Sequence, residues 1–364
     1  MLAQGKGYFI WKISDCERGD VDAIANLAQQ ASFTHLVIKI ADGKYSYNVA
    51  STGADLVPPL VRALHARGIQ ALGWHYVYGD DPVSEANIAI QRVRQTGVDG
   101  YVIDAEREYK VPGKDRAAAS FMSRMRLSLP AFPIALCSYR FPSYHPQLPW
   151  REFLEKCAYN MPQVYWQSNH NPADQLTRSV NEFQNVTPLR PIIPVGSAYK
   201  AGTWAATPAD VVSFMQTAQS LNIAAVNFWE WAHTRAILPE VWTAIREFPW
   251  ASAPPSQDIA QQLISVLNSH NPDQVASLYT PAAVHVSAAR TVQGAAAIRA
   301  WYQALFNQVL PNANFNLASY TGVGSSRQLN WTASSPGGRV DNGSDTLAVT
   351  DGKIAYHFTS FTVS

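Results

Sequence analysis

Two carboxylates close an apolar run, Gly100-Tyr101-Val102-Ile103-Asp104-Ala105-Glu106. Side chains in a strand alternate between faces, so Val102, Asp104 and Glu106 share one face and Tyr101, Ile103 and Ala105 the other. Both acids then point the same way. Acids at the end of an otherwise buried strand call for solvent, a cation or a substrate to meet them, with simple solvation as the plain alternative. In sugar transfer one such acid protonates a leaving oxygen while a second group supports it. Two acids this close in sequence do not simply flank a glycosidic bond, so a substrate-assisted route fits better. In it Glu106 is the general acid, and an acetamido group on the sugar, oriented by Asp104, attacks the anomeric carbon.

Short apolar runs recur about every thirty residues from residue 8 to 250, with helix-like stretches between them, which predicts a (β/α)₈ TIM barrel. The runs are Tyr8 to Ile13, Leu36 to Ile40, Ala71 to Val77, Gly100 to Ala105, Pro133 to Ser138, Gln163 to Gln167, Ile192 to Gly196 and Ala225 to Trp231. In such a barrel the loops leaving the C-terminal strand ends converge on one face, where chemistry occurs. The residues expected there as substrate-binding groups are Trp11, Lys39, Trp74, His75, Tyr76, Tyr139, Tyr165, Gln167, Trp229 and Glu230, with Trp166 and Trp231 beside them. Flat aromatic faces stack on the apolar faces of sugar rings while carboxylates and amides take the hydroxyls, so this composition suits a carbohydrate cleft. Alternation turns some of these rings outward, under the helices.

The chain has 364 residues, enough for a large domain and a smaller one. The expected organisation is a barrel over 1–250, a linker over 251–256 containing Pro254-Pro255, and an α+β domain over 257–364. In that last part Gln257 to Asn268, Pro272 to Leu278 and Ala295 to Val309 are expected as helices. Strands are expected at Asn314 to Tyr320, Arg327 to Ser334, Gly343 to Thr350 and Lys353 to Val363, the last two joined by an Asp351-Gly352 hairpin turn. With a net charge of +1 and no basic run, nucleic acid is not an expected partner. The three cysteines, Cys16, Cys137 and Cys157, lack metal-ligand spacing and read as structural thiols, so neither a metal nor another cofactor is expected. No transmembrane stretch and no signal-peptide core is visible.

Val37-Ile38-Lys39-Ile40-Ala41-Asp42-Gly43, Leu72-Gly73-Trp74-His75-Tyr76 and Ile103-Asp104-Ala105-Glu106 resemble the second, third and fourth strands of glycoside hydrolase family 25, the lysozymes that cleave peptidoglycan. That family carries an acid on its first strand, where this chain has Phe9-Ile10-Trp11-Lys12-Ile13. Asp99, Gly100, Asp104 and Glu106, with Tyr165 and Trp229, are more weakly similar to family 18, the chitinases, although Val102 stands at one family acid position and Trp166 at another. Both resemblances imply Glu106 as acid with Asp104 assisting, a glycan substrate, and an extracellular or cell-wall setting. Both also put retained activity in question through the missing acids. Residues 257–364 resemble the cone-shaped fold of nuclear transport factor 2, SnoaL-like proteins and ketosteroid isomerase, carried by Ile259 to Ala283, Val284-His285-Val286 and Val292-Gln293-Gly294. There His285, Trp331, Asp341 and Asp345 are the candidate cone-lining groups, and His285 reads as a satisfied strand histidine.

Three functions stay open at this point. They are a glycosidase on N-acetylated glycans, an inactive glycan-binding barrel, and a protein whose work is ligand binding or dimerisation by the second domain. A homodimer is expected through the outer face of the terminal strands, where Tyr356 and Phe358 share one face and Phe361 the other.

Overall fold

A computed structural model describes residues 3–250, 258–322, 325–350 and 352–364. The proposed linker at 251–256 and Asp351 of the hairpin turn lie outside the described residues. The chain divides into two compact units, residues 1–253 and 254–364.

In the first unit eight parallel strands close into a barrel. They are β1 Gly5–Ile10, β2 Phe33–Asp42, β3 Gln70–Val77, β4 Gly100–Ala105, β5 Ile134–Tyr139, β6 Tyr159–Val164, β7 Val195–Ser197 and β8 Ala225–Trp229. Closure comes from β1, which pairs with β2 on one side and β8 on the other. Helices α1 Val21–Gln30, α2 Val57–His65, α3 Pro82–Thr96, α4 Lys114–Ser128, α5 Trp150–Leu154, α6 Pro172–Phe183, α7 Pro208–Ser220, α8 Trp231–Ile237 and α9 Pro239–Glu247 accompany the strands. Local chemistry starts them. Asp81 caps α3 ahead of Pro82, and Thr207 with Asp210 forms a capping box on α7 ahead of Pro208. Phe9, Val37, Leu72, Val102, Ala135, Met161 and Val195 fill the barrel interior, so it is a packed core whose chemistry is confined to one end.

The first strand begins three residues before the expected Tyr8 and ends at Ile10, because a buried lysine disguises its start. Lys6 is 1% exposed and donates to the carbonyls of Ile245, Arg246 and Phe248 at 2.8, 2.9 and 2.8 Å, capping the end of α9. The sixth strand likewise starts at Tyr159 and ends at Val164, with Asn160 and Pro162 breaking the apolar pattern. Cys16, Cys137 and Cys157 are free and buried. Among the described residues, no helix is long and apolar enough to cross a membrane.

The second unit contains α10 Ile259–Leu267, α11 Pro272–Ser277 and α12 Ala295–Ala304, the last continuing as a π-turn over Leu305–Val309. Its sheet is six-stranded: β9 Tyr279–Ser287, β10 Thr291–Gln293, β11 Asn314–Thr321, β12 Ser326–Ser335, β13 Gly338–Thr350 and β14 Lys353–Ser360, in the order β10-β9-β14-β13-β12-β11. Only β9 and β14 run parallel. Leu263, Ile298, Tyr302, Phe315, Leu347 and Ile354 are among the core residues between helices and sheet. Gly343 stands opposite Trp331, and a Cβ there would lie 2.3 Å from the indole, so only glycine admits that ring.

Candidate functional site

At the C-terminal end of the barrel, Trp11, Lys39, Trp74, Tyr76, Asp104, Glu106, Gln163, Tyr165 and Trp229 enclose a cleft of about 250 Å³. Strand β4 delivers Asp104 between Tyr76 of β3 and Cys137 of β5, and Glu106 follows on the same side. The Gln163 amide joins the two acids: its Nε2 donates to Asp104 Oδ1 at 3.1 Å and to Glu106 Oε1 at 2.9 Å. Asp104 is 5% exposed. Burial and the neighbouring Glu106 charge push its pKa well above the usual carboxylate range, and Lys39 offsets this only in part. Asp104 thus holds a proton where an isolated carboxylate has lost its own.

Aromatic rings and one cation surround the pair. Lys39 Nζ donates to Asp42 Oδ2 at 2.6 Å and stands 4.4, 4.6 and 5.6 Å from the ring centres of Tyr47, Trp74 and Trp11. Trp229 packs between Trp74 and Trp11, with ring centres 5.5 and 6.0 Å away. Trp74 anchors its indole N–H on the Ile10 carbonyl at 3.0 Å, while Trp11 is 44% exposed and free to meet a ligand. The Tyr76 hydroxyl donates to Glu108 Oε2 at 2.8 Å. Burial opposes ionisation of Glu108, but its bonds to Arg107 and Tyr76 outweigh that and hold it below the usual range.

Four expected substrate-binding residues lie outside this cleft. His75 points away from the barrel interior, as alternation requires with Trp74 and Tyr76 inside. It is fully buried, between the Tyr101 hydroxyl on Nδ1 and the Gly43 carbonyl on Nε2, both at 2.7 Å, and burial lowers its pKa to about 4. Glu230 caps α8, accepting from the His233 backbone N–H at 2.8 Å, so its carboxylate is already engaged. Gln167 lies three residues past the end of β6 and accepts from the Tyr199 hydroxyl at 3.2 Å. Tyr139 stacks on His145 in an adjoining pocket that shares Gln163 and Tyr165 with the cleft. Trp166 and Trp231 are buried, Trp166 against Phe214 and Trp231 against Trp242.

Sequence reasoning missed Gln163, Asp42 and Glu108. Gln163 was discoverable by parity, since it stands two residues before Tyr165 and on the same face. In the second unit His285, Trp331 and Asp345 are buried, whereas Asp341 is exposed and paired with Arg339 at 2.6 Å. His285 is not satisfied, because neither ring nitrogen has a hydrogen-bond partner. Among the described residues, no group of three or more His, Cys, Asp or Glu side chains could hold a metal ion.

Comparison with known proteins bears on the second unit. The family model of the SnoaL-like domain matches residues 260–357. A nuclear transport factor 2-like protein of unknown function from Cytophaga hutchinsonii ATCC 33406 is similar at 12% identity, over 29% of this chain and 88% of that one, with a TM-score of 0.25. A hypothetical protein with a ketosteroid isomerase-like fold from Catenulispora acidiphila DSM 44928, in complex with trimethylamine, is similar at 14% identity, over 28% of this chain and 84% of that one, with a TM-score of 0.26. No curated protein matches the chain. The second unit is a SnoaL-like domain, and the first is a closed parallel barrel.

Proposed function

We propose that the barrel is a glycoside hydrolase acting on N-acetylated glycans such as peptidoglycan or chitin. The observation that carries this reading is Glu106 beside a proton-holding Asp104, both clamped by Gln163 at the floor of an aromatic-walled cleft. Glu106, the less buried acid, takes over the proton that Asp104 holds and gives it to the glycosidic oxygen as the bond from that oxygen to the anomeric carbon breaks. The acetamido oxygen of the same sugar supplies the electron pair that forms the new bond to that carbon. Asp104 accepts from the acetamido N–H, which steadies the charge developing on that group. Water then opens the cyclic intermediate, returning the proton to Glu106 and the anomeric oxygen to the sugar. Trp11, Trp229 and Tyr165 present faces and edges on which the rings rest.

The test is hydrolysis of chitin oligosaccharides and of purified peptidoglycan by the whole chain and by Glu106→Gln. The variant is expected to bind as the parent does and to lose nearly all turnover. Turnover equal to the parent's would overturn the assignment, and binding by the parent without turnover would select a glycan-binding module instead. The second unit contributes association in this reading: its outer sheet face, with Tyr356 and Phe358 exposed, joins two copies of the chain.

A further inference from the structure

A cavity larger than the barrel cleft lies in the second unit. Its volume is about 440 Å³, and Trp301, Leu305, Val309 and Phe361 give it an apolar wall, with Thr359 inside and Arg290 at the edge. Behind that wall lies a chain of polar groups that an ordinary core would not carry. Asp345 and His357 are 2% and 1% exposed. His357 Nε2 lies 3.2 Å from Asp345 Oδ2, within ion-pair reach though off hydrogen-bond geometry. Nδ1 of the same ring meets the Tyr279 hydroxyl at 2.6 Å, and that hydroxyl meets Tyr302 at 2.7 Å. The Trp331 indole approaches Asp345 but also falls outside hydrogen-bond geometry. His285, fully buried with both nitrogens unpartnered, packs between Trp301 of the cavity wall and His357, at ring distances of 4.3 and 4.6 Å.

The link between this chain and the cavity is Thr359. Its hydroxyl donates to Asp345 Oδ1 at 2.6 Å. Burial alone would favour the neutral acid, but the nearby His357 and the hydrogen bond from Thr359 outweigh that, so Asp345 remains a carboxylate and can only accept. The single hydroxyl proton of Thr359 is therefore committed inward, and toward the cavity this side chain offers lone pairs alone. Arg290 provides the opposite demand. Ser287 Oγ accepts from the Arg290 backbone N–H at 3.3 Å and donates to its carbonyl at 3.0 Å, which pins the turn between β9 and β10. The guanidinium is exposed beside the cavity and makes no ion pair with any described carboxylate.

We infer that this cavity is a binding site for a small organic anion with an apolar body, which donates an O–H or N–H to Thr359 and sets its negative group against Arg290. The apolar wall takes the body of the molecule, the committed Thr359 proton selects a donor over an acceptor, and the arginine selects charge. This site stands apart from the barrel chemistry and does not depend on it.

The experiment is calorimetric titration of the full chain with three probes of one length: ω-hydroxydecanoate, decanoate and the α,ω-decanediol. The expected order places ω-hydroxydecanoate about tenfold or more tighter than either of the others, on the scale of a matched polar contact in a desolvated site. Arg290→Gln, which alters an exposed side chain and spares the fold, should erase the advantage over the diol while keeping the advantage over decanoate. Thr359→Val should do the reverse. Equal binding of all three probes, no binding of ω-hydroxydecanoate at millimolar concentration, or an Arg290→Gln variant indistinguishable from the parent would overturn the proposal.

Discussion

Asp104 of the barrel and Asp345 of the second unit are 5% and 2% exposed, yet their proton affinities move in opposite directions. Burial favours the neutral form in both. At Asp104 the nearest titratable partner is another carboxylate, Glu106, which adds to the effect of burial. At Asp345 the partner is His357, with a hydroxyl donor on the other oxygen, and together they reverse it. The neighbour, and not the depth, decides the charge. One site is thereby equipped to hold a proton and release it, and the other to keep a fixed negative charge that orients what surrounds it.

Neutralising each acid should separate the two most strongly. Asp345→Asn removes the buried carboxylate that accepts from Thr359 and faces His357 and should cost the second unit about 1–3 kcal/mol at neutral pH. Asp104→Asn resembles the protonated form already favoured there and should be neutral or stabilising. The signs follow from linkage. A carboxyl raised in the folded state penalises folding as pH climbs above the unfolded value of about 4, so the gain from Asp104→Asn should grow as pH rises above that value. A carboxyl lowered in the folded state contributes stability above that value and loses it as pH falls below it, so the loss in Asp345→Asn should shrink in acid. Urea unfolding followed across pH checks both, and an Asp104→Asn variant that loses stability steadily as pH rises would break the contrast.

His285 gives another effect of the same kind. Its pKa is lowered to about 3 by burial and by the charge of His357, so the folded state refuses a proton that the unfolded chain takes up near pH 6.5. Stability should therefore decline as pH falls from 6.5 toward 3, by about 1.4 kcal/mol per pH unit at most. His285→Phe keeps the ring, removes two unpartnered nitrogens, and should stabilise the second unit by roughly 1–3 kcal/mol while flattening this limb. His35 and His75 of the barrel, lowered to about 4 by burial, give the first unit an acid limb that the substitution leaves in place. Thermal unfolding at pH 5 and pH 7 measures the difference, and an unchanged limb in the variant would assign it to other groups.

In the cleft, Trp229→Ala and Tyr165→Ala should each weaken glycan binding by about 1–3 kcal/mol, the scale of a lost aromatic contact. His75→Phe should leave glycan affinity unchanged, because that ring faces the helices. Titration with chitin oligosaccharides compares the three, and an affinity loss confined to His75→Phe would refute the placement of the cleft.

The barrel is legible in the sequence because buried parallel strands read as apolar runs at regular spacing. It blurs where a strand carries polar groups with a private structural use, as Lys6 does under α9 and Asn160 does in β6. The acid pair is legible by alternation alone, and so is the outward turn of Trp166. His75 and Glu230 are misplaced from sequence because proximity to a strand end does not reveal which face a side chain takes or whether a helix needs it as a cap. The polar chain of the second unit is hidden for a different reason. Asp345 stands opposite Thr359 and diagonal to His357 only once β13 and β14 have found their register, and composition carries no record of that register.

A separate test concerns the other side of the same strand. His357 and Thr359 face the interior, while Tyr356 and Phe358 face out, 40% and 41% exposed, beside Ala348 and Thr346 on β13 and Val284 and Val286 on β9. Phe361 turns the other way, its ring 5.4 Å from Trp331. No charge interrupts this outward patch, so two copies can meet across a two-fold axis without like charges opposing each other. Burying Phe358 there would contribute about 1.5–3 kcal/mol per copy. Phe358→Lys would place a charge against its own symmetry mate and should abolish any association through this face, with the cavity behind the strand unaltered. Sedimentation velocity of the parent and the variant decides it: a parent already monomeric at tens of micromolar, or a variant still dimeric, would remove the sheet face from any role in association.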